Sequence, residues 1–73
     1  MDDLRVRFTY HAPSPAQTKV YEKIRAAALE LAFLLEAECP QSRELSLAIT
    51  NLEQAVFWAN AAIARNPDNS KVI

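Results

Sequence analysis

Between Ser42 and Arg65 the apolar residues recur at helical spacing. Leu45, Ala48, Ile49, Leu52, Ala55, Val56, Ala59 and Ile63 fall on one stripe at about 100° per residue. The stripe predicts an amphipathic helix over residues 41–65, ended before Pro67. Upstream, Val20, Ile24, Ala27, Ala28, Leu31 and Leu35 form a second stripe and predict a helix over 15–37. Its start has Ser14 as N-cap, Pro15 at the first helical position and Gln17 where a reciprocal capping partner belongs. Residues 4–10 read differently. Leu4, Val6, Phe8 and Tyr10 alternate with Arg5, Arg7 and Thr9, a period of two that predicts a short extended arm lying with its apolar side on the helices.

The connections set the topology. Glu38-Cys39-Pro40-Gln41 is the link; Pro40 stops the first helix and suits the first turn of the second. A link this short forces the helices antiparallel. The expected fold is therefore all-α: an antiparallel two-helix hairpin with a short N-terminal extended arm. It forms a single domain, with the arm at 1–13, helices at 15–37 and 41–65, and a flexible tail at 67–73.

One helix cannot cover everything apolar on the other. Leu47, Trp58 and Ala62 lie on a second flank of the second helix, and Phe57 on a third. In 73 residues there is little else to cover them. The single cysteine, Cys39, excludes an internal disulfide, and one histidine with one cysteine excludes a metal cluster. Assembly of copies is the remaining way to stabilise so small a scaffold. The expectation is a compact homo-oligomer with Leu47, Phe57 and Trp58 at its interface.

A net charge of −1 argues against a general DNA or RNA binder. Met1-Asp2-Asp3 is acidic where a secretory leader is basic. The most apolar run, Ala26 to Leu35, contains Glu30 and is too short to span a bilayer. These features point to a soluble cytosolic protein with Cys39 reduced. With no glycine in the chain, neither a glycine-rich phosphate loop nor a dinucleotide-binding turn can be built.

Catalytic sets are missing too. His11 and Cys39 stand at opposite ends of the first helix, ~35 Å apart within one chain. Glu36 and Glu38 are two residues apart and point away from each other. The chain reads as a non-enzyme without a cofactor. A binding constellation is better supported. Tyr21 and Arg25 share one side of the first helix, and Lys19 and Lys23 its outer face. The helix N-terminus offers free N–H groups, with Tyr10 and His11 on the turn before it. Rings for stacking, guanidinium and N–H donors together suit a small nucleotide anion. The alternative is that Tyr10 anchors the arm and that Lys19 and Lys23 are a solvated face paired with Glu22 and Glu30. Arg65 is either a partner for the helix C-terminus or an anion ligand at the open end of the hairpin.

The string FTYHAPSPAQTKVYEKIRAAALELA, followed by CPQSRELSLAITNLEQAVFWANAAIARN, resembles the phage anti-CBASS cyclic-nucleotide sponge family, whose helical hairpin is shared with Thoeris anti-defence sponges. The resemblance covers residues 8–66 and rests on F-x-Y-x-x-P near the start and CP-x-SRE-x-SLA…WAN-x-x-IAR later. It implies capture of cyclic oligonucleotide messengers without bond cleavage, in the cytoplasm of the infected host, so that CBASS effectors are not activated. It also implies compact hexamers that hold cyclic dinucleotides such as cGAMP between protomers and cyclic trinucleotides in separate pockets. On this resemblance Tyr10, flanked by His11 and Pro13, and Arg25 serve the dinucleotide pocket, with Lys23 in Arg25's place if the register slips. Arg65 serves the trinucleotide pocket. The alternative is a helical oligomeric interaction module that binds a protein partner through Trp58, Phe57 and Leu47.

Overall fold

The computed structural model describes residues 3–66, and the expected tail at 67–73 lies outside them. Three helices follow in order: α1 over Asp3–Arg7, α2 over Pro15–Glu38 and α3 over Arg43–Arg65. No strand occurs among the described residues. The chain is all-α, and α2 and α3 pair as an antiparallel hairpin in an elongated body of 45 × 25 × 24 Å.

The extended arm is corrected. Residues 3–7 are helical, closed by Phe8 N–H donating to the Leu4 carbonyl at 3.0 Å, and Arg7 pairs with Asp3 at 3.4 Å across one turn. A lone strand would leave its backbone groups to water, whereas a turn of helix satisfies several of them internally. Nor does the arm lie with its apolar side on the hairpin. Leu4, Phe8 and Tyr10 are exposed, and only Val6 is half-buried.

α2 begins as its sequence directs. Ser14 Oγ accepts from Gln17 N–H at 3.1 Å and Gln17 Oε1 accepts from Ser14 N–H at 2.9 Å, a complete capping box. Gln17 also reaches across: its Nε2 donates to the Ile63 carbonyl at 3.2 Å and ties the open end of the hairpin. At the other end Cys39 is extended, the geometry favoured before Pro40, and its N–H donates to the Leu35 carbonyl at 2.9 Å.

α3 starts two residues later than the pattern suggests. Ser42 is its N-cap, accepting from Leu45 N–H at 3.1 Å while its hydroxyl donates to the Pro40 carbonyl at 3.0 Å. Pro40 therefore sits in the link and not in the first turn, because the serine hydroxyl supplies the better partner for an orphan donor.

The seam of α3 is the stripe read from sequence, with Leu45 buried at 6% exposure, Ala48, Ile49, Leu52, Val56, Ala59 and Ile63 half-buried, and Ala55 turned out. The seam of α2 is rotated from the expected one. It runs through Gln17, Tyr21, Ile24, Ala28, Ala32 and Leu35, while Val20, Ala27 and Leu31 are exposed. The rotation leaves a second apolar flank on α2, made of Val20, Ala27, Leu31 and Leu34, all exposed. In an antiparallel pair this flank opens on the same side as Leu47 and Trp58 of α3. Leu45 is the only buried side chain among the described residues.

Candidate functional site

The residues singled out from sequence fall at three places. Tyr10 stands on the segment between α1 and α2, 83% exposed, with Pro13 exposed beside it. His11 is half-buried on the same segment, and its ring is engaged: Nε2–H donates to the Val6 carbonyl at 2.8 Å. Val6 lies in the last turn of α1, so His11 supplies a donor that the short helix cannot supply itself. Only Nδ1 of His11 is left for any other role.

Arg25 sits ten residues into α2, ~15 Å along the axis from Pro15 at 1.5 Å per residue. It rims a cleft of about 280 Å³ on one side of the hairpin. Glu53 rims it from α3, and Leu29, Ile49, Leu52 and Val56 form an apolar floor. Lys23 is exposed and lies outside this cleft. Tyr21, expected beside Arg25 as a stacking ring, is half-buried in the seam. One chain thus offers an apolar trough with a guanidinium at its edge, and Tyr10 does not line it.

Arg65 is half-buried in the last turn of α3. With Asp3, Val6, Arg7 and Asn66 it lines a cleft of about 370 Å³ between α1 and the end of α3. Asn66 is held there, its Nδ2 donating to the Ala62 carbonyl at 2.9 Å. The fold therefore joins Arg65 to Arg7 and leaves Arg25 and Tyr10 outside this cleft. Sequence reading missed Arg7, Asn66 and Glu53. The spacing of Asp3 and Arg7, one helical turn apart, was the signal for the first; the period-two reading of residues 4–10 masked it.

Leu47, Phe57 and Trp58 are exposed, and the two aromatic rings meet edge to face with centroids 5.7 Å apart. Asn60 Oδ1 is enclosed on the seam side of α3 without a donor among the described residues. Cys39 is a free, exposed thiol in the link. No cluster of three or more His, Cys, Asp or Glu that could hold a metal occurs among the described residues, and none of their helices is long and apolar enough to cross a membrane.

Among the described residues the hairpin buries one side chain, and two of its shallow clefts are lined in part by arginine. The model of the family described as Acb2/Tad1, hairpin domain, matches residues 1–64. The chain belongs to that family, the hairpin domain of anti-CBASS and anti-Thoeris sponges. No curated protein and no solved structure matches it significantly.

Proposed function

We propose that this protein is a phage anti-defence sponge. It binds cyclic oligonucleotide messengers in the cytoplasm of the infected cell and withholds them from CBASS effectors without cleaving them. Its ligands are cyclic dinucleotides such as cGAMP and also cyclic trinucleotides. The observation that carries this reading is the family match, which spans both long helices up to the last turn of α3.

The state of the hairpin supports an assembled sponge. Its accessible surface is 6317 Å². A compact monomer of 8.2 kDa exposes about 4,500 Å². The excess is ~1,800 Å², the size of a standard specific interface. Exposed large apolar side chains contribute to it, among them Leu31, Leu34, Leu47, Phe57 and Trp58. Neighbouring copies, six on the family resemblance, cover these flanks and complete the ligand cavities. Tyr10 of one protomer and Arg25 of another then face one dinucleotide, the ring stacking on a base and the guanidinium holding phosphate. Pro13 stiffens the turn that carries Tyr10, and Lys23 adds positive charge nearby.

The test is capture and release. Protein incubated with cyclic GMP–AMP removes it from the filtrate, and denaturation returns it intact. Recovery of a linear dinucleotide would make the protein a phosphodiesterase and end the proposal. Tyr10→Ala and Arg25→Ala each weaken dinucleotide binding more than about tenfold, the loss of one stacked base or one charge-assisted bond, at unchanged oligomer size. Unaltered binding by both variants removes the assigned site.

A further inference from the structure

We propose that His11 is the positioning residue for Tyr10: its ring, bonded to α1, holds the loop that carries the exposed tyrosine where that ring stacks on a nucleotide base. This rests on the sponge reading for the ligand and makes α1 part of the frame of the site.

Tyr10 is 83% exposed, so packing around its own side chain does little to fix it, and its placement is that of the backbone beneath it. A stacking ring on a loose backbone must be ordered each time a ligand binds, whereas a ring on a fixed backbone is already in place. Of the seven residues between α1 and α2, six are exposed and one turns inward. That one is His11, next to Tyr10. Its Nε2–H donates to the Val6 carbonyl at 2.8 Å, in a part-buried setting. The bond closes a loop of chain from Val6 to His11, and Tyr10 lies inside that loop. Once the ends of so short a loop are joined, few backbone conformations remain to the residues within it.

Both ends of the loop are anchored. Val6 belongs to α1, whose turn is closed by Phe8 N–H on the Leu4 carbonyl at 3.0 Å. On the other side only Ala12 and Pro13 separate His11 from Ser14. Pro13 has a fixed φ and restricts Ala12 before it. Ser14 shares its capping box with Gln17, and Gln17 reaches across to the Ile63 carbonyl. A continuous set of contacts therefore runs from α3 through Gln17, Ser14 and His11 to α1, and Tyr10 rides on the part that His11 closes. The same bond separates His11 from a direct ligand contact through Nε2, because that nitrogen is already engaged. His11 acts through Tyr10.

Variants of the full chain test this: His11→Phe, His11→Gln, Tyr10→Ala and the double variant Tyr10→Ala with His11→Phe. Phenylalanine keeps a ring and removes the donor, and glutamine restores a donating N–H at the end of its side chain. Two quantities are read: affinity for cyclic GMP–AMP by calorimetry, and the backbone order of Tyr10 in the free protein by nitrogen relaxation. His11→Phe lowers the Tyr10 order parameter from the rigid range near about 0.85 to below about 0.6. It weakens binding by about 5- to 30-fold, the equivalent of ordering one residue's backbone on binding, at the parent's helicity and oligomer size. His11→Gln recovers both quantities. In the Tyr10→Ala background His11→Phe weakens binding no further, as a residue acting through Tyr10 must. If the parent binds cyclic GMP–AMP with an affinity that His11→Phe does not move, the positioning role is wrong and the sponge reading stands. If His11→Phe weakens binding equally with and without Tyr10, or if both His11 variants lose the assembly, His11 acts elsewhere and the proposal is overturned. If no cyclic nucleotide binds but His11→Phe loosens Tyr10 and His11→Gln restores it, the bracing of Tyr10 stands and the sponge reading falls. If Tyr10 stays ordered in His11→Phe and no cyclic nucleotide binds, both are overturned.

Discussion

Trp58→Ser tests whether copies of the chain stabilise one another, as the proposed function requires. Trp58 lies outside the seam of the hairpin and is 60% exposed, so the substitution removes little from the contact between α2 and α3. A tryptophan side chain carries up to about 250 Å², so roughly 150 Å² of it is open to a neighbour. At ~25 cal/mol per Å², covering that area contributes at most ~4 kcal/mol per protomer, and covering half of it ~2 kcal/mol. With 1.4 kcal/mol to each factor of ten, the dissociation constant per contact rises by ~30- to 700-fold. The assay is sedimentation velocity across a dilution series, with far-UV circular dichroism on the same samples. The variant falls apart at a higher concentration than the parent, and helicity is lost along with assembly in both. A variant that dissociates at the parent's concentration would show that Trp58 does not face a neighbour. A parent that keeps its full helicity as a single chain at the lowest concentration would show that the hairpin needs no neighbour to fold.

Other outcomes follow from individual contacts. Ser14→Ala removes the acceptor for Gln17 N–H and releases the Gln17 side chain that also reaches Ile63, so it costs about 1–2 kcal/mol, read from denaturant melts. Leu45→Ala empties the most buried position of the hairpin and costs about 2–4 kcal/mol; a loss below 1 kcal/mol would place the core elsewhere. Asn60→Leu replaces an enclosed carbonyl oxygen without a donor by an apolar group of similar size, and raises stability by about 1 kcal/mol. A lower melting temperature in that variant would mean that a neighbouring copy supplies the missing donor.

The long helices were legible because several independent signals agree at their ends. Ser14, Pro15 and Gln17 mark one start by chemistry alone, and the structure adds only that Gln17 is long enough to bond Ile63 as well. The α3 stripe was legible because Leu45, Ile49, Leu52, Val56 and Ile63 carry it with large side chains. The α2 seam was harder. Its apolar residues extend around more than half the helix, and nothing in the one-dimensional pattern ranks Val20 and Leu31 below Tyr21 and Ala32. The choice is made by what α3 presents, and Ala28 and Ala32 take the middle of the seam while Leu31 is exposed. Residues 3–7 failed for a different reason. Over five residues a period of two and a period of 3.6 both bring Leu4 and Phe8 to one side, and only the lack of a partner strand decides. That misreading hid Arg7, and with it the cleft that Arg65 shares. Within one chain Tyr10 does not line the cleft that Arg25 rims, and ten residues of α2 separate Arg25 from Pro15.

On the proposed function, copies of this hairpin jointly hold an intact cyclic nucleotide. Sedimentation of the protein with cyclic GMP–AMP, followed at the nucleotide's absorbance, tests it directly. Nucleotide is expected to move with the assembled species alone and to be released uncleaved on denaturation. Nucleotide travelling equally well with a folded single chain, or emerging as a linear product, would contradict it.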